Sequence, residues 1–282
     1  MCHSSDRELL NYHRLFIFIA MSDEFNWPSF LPRFSQVAAT QGFGQCTLCQ
    51  TAAGPLQVWQ RAGEGPTIYL SAGIHGDEPA GPLALLQLMK DGFFADNINW
   101  AISPCINPTG LEAGCRSSQC GQDLNRDYLK RQTIEISAHA AWLESFAAPD
   151  LFLSLHEDSD VENFYFYEIN QGSDAPMIAK SIITSVRPWF LPEPGPTIDD
   201  HVPREAGWIF HEPEADEPEG WPEAIFLAKR GCPLSYTFET PSRAALSSRV
   251  SAQCAAVRAA YQEATAIVLR GNLLVSMKHE VD

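Results

Sequence analysis

Positive charge is scarce in this chain: 19 lysines and arginines stand against 35 aspartates and glutamates, a formal net charge of -16. Such a balance repels phosphate backbones and anionic lipid heads, so neither nucleic acid nor a membrane is an expected partner. No run of about 18 apolar residues is present to span a bilayer. Leu15–Met21 is short for a signal-peptide core and no clear small-residue cleavage site follows it. Internal repeats and low-complexity tracts are also missing. So are a GxSxG elbow, an HExxH helix and a phosphate-cradling GxxxxGK loop, which leaves serine-hydrolase and nucleotide-binding readings without support. The 8 cysteines are not needed to staple a chain of 282 residues. Cys46-x-x-Cys49 has no second pair at matching spacing, so both read as reduced strand cysteines of a cytoplasmic protein. Residues 1–20 read as a weakly structured extension and 21–282 as one domain.

Ordinary hydrophobic content, 45%, is enough for a sizeable core. Strand and helix signals alternate along the chain. Strands are expected at Gln45–Gln50, Leu56–Arg61, Thr67–Ala72, Asn99–Ser103, Leu151–Leu155, Asn163–Glu168 and Leu234–Phe238. Helices are expected at Pro79–Lys90, Thr133–Ala147, Ala175–Val186 and Ser242–Arg270. This order predicts an α/β domain with a mixed, largely parallel central sheet flanked by helices on both faces. Ligands of such sheets bind beyond the carboxyl ends of central strands. Pro192–Glu223, with seven prolines, is expected to be an ordered loop.

Three chemically competent segments fall at strand ends. In His75-Gly76-Asp77-Glu78 the first and fourth residues share one side of a tight turn, so an imidazole and a carboxylate can meet one cation. His156, at the end of an apolar strand, is the natural third ligand, because catalytic zinc keeps three protein ligands and one water. Glu239, at the end of another strand, can act as general acid/base. His3, His13, His139, His201 and His279 have no partner at ligand spacing and read as surface residues, with His211 left open.

The ordered set His75-x-x-Glu78, Asn107-Pro108-Thr109-Gly110, Arg116, Asp123-Leu124-Asn125-Arg126, Ser154-Leu155-His156 and Thr237-Phe238-Glu239 resembles the M14 zinc metallocarboxypeptidases. The related succinylglutamate desuccinylase and aspartoacylase branch shares much of it. The resemblance implies one zinc ion on His75, Glu78 and His156, and water activation by Glu239. It also implies a carbonyl-polarising Arg116, and Asn125 with Arg126 holding the free carboxylate of a peptide or acyl amino acid substrate. A planar guanidinium suits that last task. One departure is the absence of a tyrosine between Tyr167 and Tyr236, where the family presents one on a mobile loop; Trp208, His211 or Trp221 are the candidates to cover the substrate. With no long preceding segment to act as an inhibitory prodomain, an intracellular peptidase or amidase is expected. The alternatives are an N-acyl amino acid deacylase and a metal-binding protein without catalysis. The acidic run His211–Glu219 suggests a cationic group on the substrate.

Overall fold

In a computed structural model the structure describes residues 25–279; the extension expected over 1–20 lies outside them. Each strand expected from the sequence forms, and the apolar runs explain which lie at the centre. β3 (Thr67–Ala72) and β5 (Leu151–Asp158) are buried along almost their whole length. Such continuous burial is the mark of strands covered on both faces. Eight strands form one sheet in the order β1-β2-β4-β3-β5-β8-β6-β7. The others are β1 (Gly44–Thr51), β2 (Gly54–Arg61), β4 (Asn99–Ser103), β6 (Tyr165–Asn170), β7 (Trp208–Phe210) and β8 (Leu234–Pro241). The centre, β4-β3-β5-β8, is parallel, while β1 and β2 at one edge and β6 against β8 run antiparallel.

Alternate strand residues feed two layers. Ile68, Leu70, Leu153 and Leu155 pack beneath α1 (Trp27–Thr40), α2 (Ala80–Lys90), α5 (Pro176–Val186) and α7 (Leu246–His279). Tyr69 and Phe152 face the other way, towards α4 (Ile134–Glu144) and α6 (Glu223–Lys229). Each fully buried leucine or phenylalanine contributes about 1.5–3 kcal/mol of transfer free energy. α3 (Pro108–Ala113) and a 3-10 turn at Leu124–Arg126 lie between β4 and α4.

The chain leaves β3 for β4 on one side and later lays β5 on the other. Where strand order reverses in this way, a crevice opens at the carboxyl ends. Both β5 and β8 run further than expected, so His156 and Glu239 sit inside strands rather than just past them. α1, α3, α6 and β7 were not expected. Cys46 and Cys49 both lie on β1 as free thiols. Among the described residues, no helix is long and apolar enough to cross a membrane.

Candidate metal centre

The turn after β3 is built by close packing. Gly73 has φ +63, a left-handed value that suits glycine. A Cβ on Gly76 would lie 1.9 Å from the Gly110 carbonyl carbon, so only glycine fits there. Asn107 organises the facing segment: its Oδ1 accepts from the Gly110 N–H at 2.8 Å, and its Nδ2 donates to the Arg116 carbonyl at 3.2 Å. The Arg116 carbonyl also accepts from the Gly76 N–H at 3.4 Å. The motif with Asn107 and Gly110 thus clamps the His75 turn against the segment that carries Arg116.

His75, Glu78 and His156 are all buried, with 3% relative exposure each, and offer donor atoms within 4.8 Å of one another. Glu78 lies between the two rings, its Oε1 2.6 Å from His75 Nδ1 and its Oε2 3.1 Å from His156 Nδ1. The far nitrogens are engaged elsewhere. His75 Nε2 lies 3.2 Å from Asp123 Oδ1, and His156 Nε2 lies 3.0 Å from Ser154 Oγ. A proton on each Nε2 satisfies those acceptors and leaves both Nδ1 lone pairs directed at the carboxylate.

The charges of the site call for a cation between the rings and Glu78, a place that a proton on His75 Nδ1 otherwise fills. Burial disfavours a charged His75 ring, but the Glu78 carboxylate and the bond to Asp123 outweigh it and raise its pKa to about 9. Burial would raise Glu78, yet His75 and His156 pull it down to about 2. His156 is lowered, chiefly by burial. Glu78 Oε2 is buried and makes no conventional hydrogen bond. Two imidazoles and one carboxylate with an unsatisfied buried oxygen, around a common point, fit a divalent metal of the zinc type.

The other expected residues line the same cavity, of about 400 Å³. Glu239 lies opposite His156 in the pairing of β8 with β5. Its pKa is pushed well up, first by burial and then by Glu78, Asp158 and Asp199. Arg116 is half exposed; its Nη2 is 3.0 Å from Asp123 Oδ2 and its Nη1 3.6 Å from Glu78 Oε1. Asn125 Oδ1 accepts from the Glu223 N–H at 2.9 Å, which leaves its Nδ2 as the free donor. Arg126 is exposed and makes no ion pair among the described residues.

Sequence reasoning missed much of the wall. Tyr165 and Tyr167 line the cavity from β6, and the alternation Phe164-Tyr165-Phe166-Tyr167 was the available signal. Glu223 also lines it, bonded to Ser71 at 2.6 Å and to Tyr69 at 2.7 Å. Ser71 in turn lies 3.1 Å from Ser154, so a hydrogen-bond chain joins His156 to a buried carboxylate. Of the acidic run, only Asp216 faces the cavity; Glu214 and Glu219 pair with Lys229 and Lys130. Among the candidates for the substrate cover, Trp208 is core, whereas His211 reaches the cavity. His139, expected at the surface, is fully buried between Tyr69 and Tyr128.

Comparison with known proteins agrees with this geometry. The family model of the succinylglutamate desuccinylase/aspartoacylase catalytic domain matches residues 64–157. A search of curated protein sequences gives no match. A Shewanella amazonensis protein assigned as a metallopeptidase is 26% identical over 83% of this chain and 91% of its own, with a TM-score of 0.73. A metallo-carboxypeptidase from Burkholderia cenocepacia shares the fold at 16% identity, covering 86% of this chain and 70% of that one, TM-score 0.64. A Pseudomonas aeruginosa metallo-carboxypeptidase, solved with (2-guanidinoethylmercapto)succinic acid, gives 16% identity, 83% and 68% coverage and TM-score 0.58. The chain therefore has a metallocarboxypeptidase-like fold related to the desuccinylase/aspartoacylase branch. That fold and the His-Glu-His site define its class as metal-dependent hydrolases.

Proposed function

We propose that this protein is a zinc metallocarboxypeptidase that hydrolyses an amide bond next to a free carboxylate. The observation that carries the reading is the Glu78 carboxylate held between His75 Nδ1 and His156 Nδ1, with Glu239 facing the same cavity. Zinc bound by these three side chains would polarise the scissile carbonyl and lower the pKa of a water towards about 7. Glu239 would accept a proton from the attacking water and return it to the leaving amine. The high proton affinity that burial and neighbouring carboxylates give Glu239 suits a group that must hold the proton between those events.

Arg116 brings a permanent positive charge beside Glu78, where a developing oxyanion would lie, and such groups are worth on the order of 3 kcal/mol of barrier. Asn125 Nδ2 and the Arg126 fork offer donors for the substrate carboxylate. Nine carboxylate residues and two arginines line the cavity. This excess supports a cationic group on the substrate and opposes the several carboxylates of an acyl acidic amino acid, so the deacylase reading ranks second. Glu239 and Arg116 beside all three ligands weigh against metal binding without catalysis.

The test is a panel of peptides and N-acyl amino acids given to zinc-loaded protein. Cleavage of peptides at the carboxyl terminus, lost on chelation and in His75→Ala or His156→Ala, is expected. Hydrolysis of N-acyl amino acids alone would replace the peptidase reading with the deacylase one.

A further inference from the structure

A second group of metal-competent side chains stands in the wall of the same cavity. β7 separates two histidines, with His201 in the turn before it and His211 immediately after it; Asp216 follows five residues on. Their donor atoms lie within 4.8 Å of one another. His211 and Asp216 line the cavity.

The hydrogen bonds fix which nitrogen of each ring is free. His201 Nδ1 lies 2.5 Å from the Asp199 carbonyl oxygen, and His211 Nδ1 lies 2.6 Å from the Glu212 carbonyl oxygen. A carbonyl oxygen can only accept, so each Nδ1 carries the hydrogen and donates it. In the neutral rings both Nε2 atoms are then lone pairs. Both face Asp216: His201 Nε2 is 3.5 Å from Oδ1, and His211 Nε2 is 3.3 Å from the same oxygen. Three acceptors around one point need a cation. A proton on one ring serves one of the two pairs, whereas a metal serves all three at once.

Geometry and support fit the metal. Bonds of about 2.0–2.1 Å at tetrahedral zinc set ligand atoms roughly 3.3–3.4 Å apart, close to the spacings to Asp216. The ring centroids are 5.1 Å apart. Tyr167 packs edge-on against both, at 5.5 Å from His201 and 5.9 Å from His211. Asp199 and Asp200 adopt left-handed φ values of 44° and 61°, which turn the chain so that His201 reaches its partner. Reciprocal backbone bonds between Ile198 and His201, both 2.9 Å, hold that turn. Backbone carbonyls that orient ring nitrogens in this way are the usual outer support of histidine metal sites.

We infer that His201 Nε2, His211 Nε2 and the Asp216 carboxylate form a second site for a divalent transition metal such as zinc, clipping together the two ends of β7. Two imidazoles and one carboxylate leave a fourth position for water or a substrate group. Asp216 is then engaged, and Asp158, Asp160 and Asp199 remain as the carboxylates that attract a cationic substrate.

The experiment is zinc stoichiometry, by elemental analysis, on untagged protein stripped with a chelator, reloaded and dialysed. The reference is a variant with His75, His156, His201 and His211 all replaced by alanine, which subtracts zinc held by thiols. The unmutated chain is expected to bind two more ions than this reference. Both His75→Ala/His156→Ala and His201→Ala/His211→Ala are expected to bind one more. Zinc should also raise the Tm of His75→Ala/His156→Ala by roughly 5–10 °C at a hundredfold excess over its Kd, with no such shift in the reference. If His75→Ala/His156→Ala binds no more zinc than the reference and its Tm does not move, the second site is wrong while the first stands. If instead only His201→Ala/His211→Ala loses zinc, the second site stands and the assignment of the first fails.

Discussion

His156 and Glu239 are direct partners in the parallel pairing of β5 with β8. Partners in a parallel pair project from the same face about 4.8 Å apart. In the proposed reading, a metal ligand and a proton carrier are thereby set one strand spacing from each other within the central parallel strands. Ser154, joined through Ser71 to Glu223, orients His156, and Asp123 orients His75.

Asp123 holds both His75, through Nε2, and Arg116, through Nη2. Asp123→Asn should keep the fold but weaken zinc binding roughly 10- to 100-fold, because the amide no longer enforces the Nε2–H tautomer. Competition with a chelator of known affinity checks this. An unchanged zinc affinity would remove Asp123 from that supporting role.

Arg126→Ala should weaken substrates with a free carboxylate far more than the matching amides. The expected loss is roughly 10- to 150-fold in kcat/KM, the value of a charge-assisted hydrogen bond of about 1.5–3 kcal/mol. An equal loss for acids and amides would mean that Arg126 shapes the wall without binding the carboxylate.

Stability against pH should respond to the buried pair His139 and Glu223. Burial lowers His139 from 6.5 to about 3, so the native state binds fewer protons than the unfolded state in that window and stability is lost as pH falls. Burial raises Glu223 from 4.5 to about 7, so the native state binds more protons there and stability is lost as pH rises. Between pH 4.5 and 6.5 the two effects oppose each other. Glu223→Gln should therefore tilt the profile upward with pH, and His139→Gln should tilt it downward, each by up to about 1.4 kcal/mol per pH unit. Urea denaturation at several pH values reads both slopes, and parallel profiles for the two variants would contradict the assignment.

Asp158, Asp160 and Asp199 should make the protein prefer lysine over leucine and leucine over glutamate beside the scissile bond. The preference should shrink at about 1 M salt, where the screening length falls to about 3 Å. A preference for glutamate in matched kcat/KM measurements would refute it.

Much of this was legible in the sequence. β3, β5 and β8 are apolar runs, and His75, His156 and Glu239, placed at or near their carboxyl ends, line one cavity as those positions suggested. α1 was hidden because Pro28 and Pro32 interrupt its helical pattern, and β7 because three residues give no period. His139 looked like a surface residue because its partners Tyr69 and Glu223 are 70 and 84 positions away. The acidic run looked like a pocket wall because charge density does not reveal that Glu214 and Glu219 turn outward to lysines. Long-range pairing, not local pattern, decides the last two.

The central claim is tested most directly by Glu239→Gln, which removes the proton carrier and leaves His75, Glu78 and His156 untouched. Zinc content and kcat on one cleaved peptide are measured in parallel for this variant and the unmutated protein. The account predicts equal zinc and a kcat lower by roughly 100- to 10 000-fold. Equal zinc with near-normal turnover would contradict it.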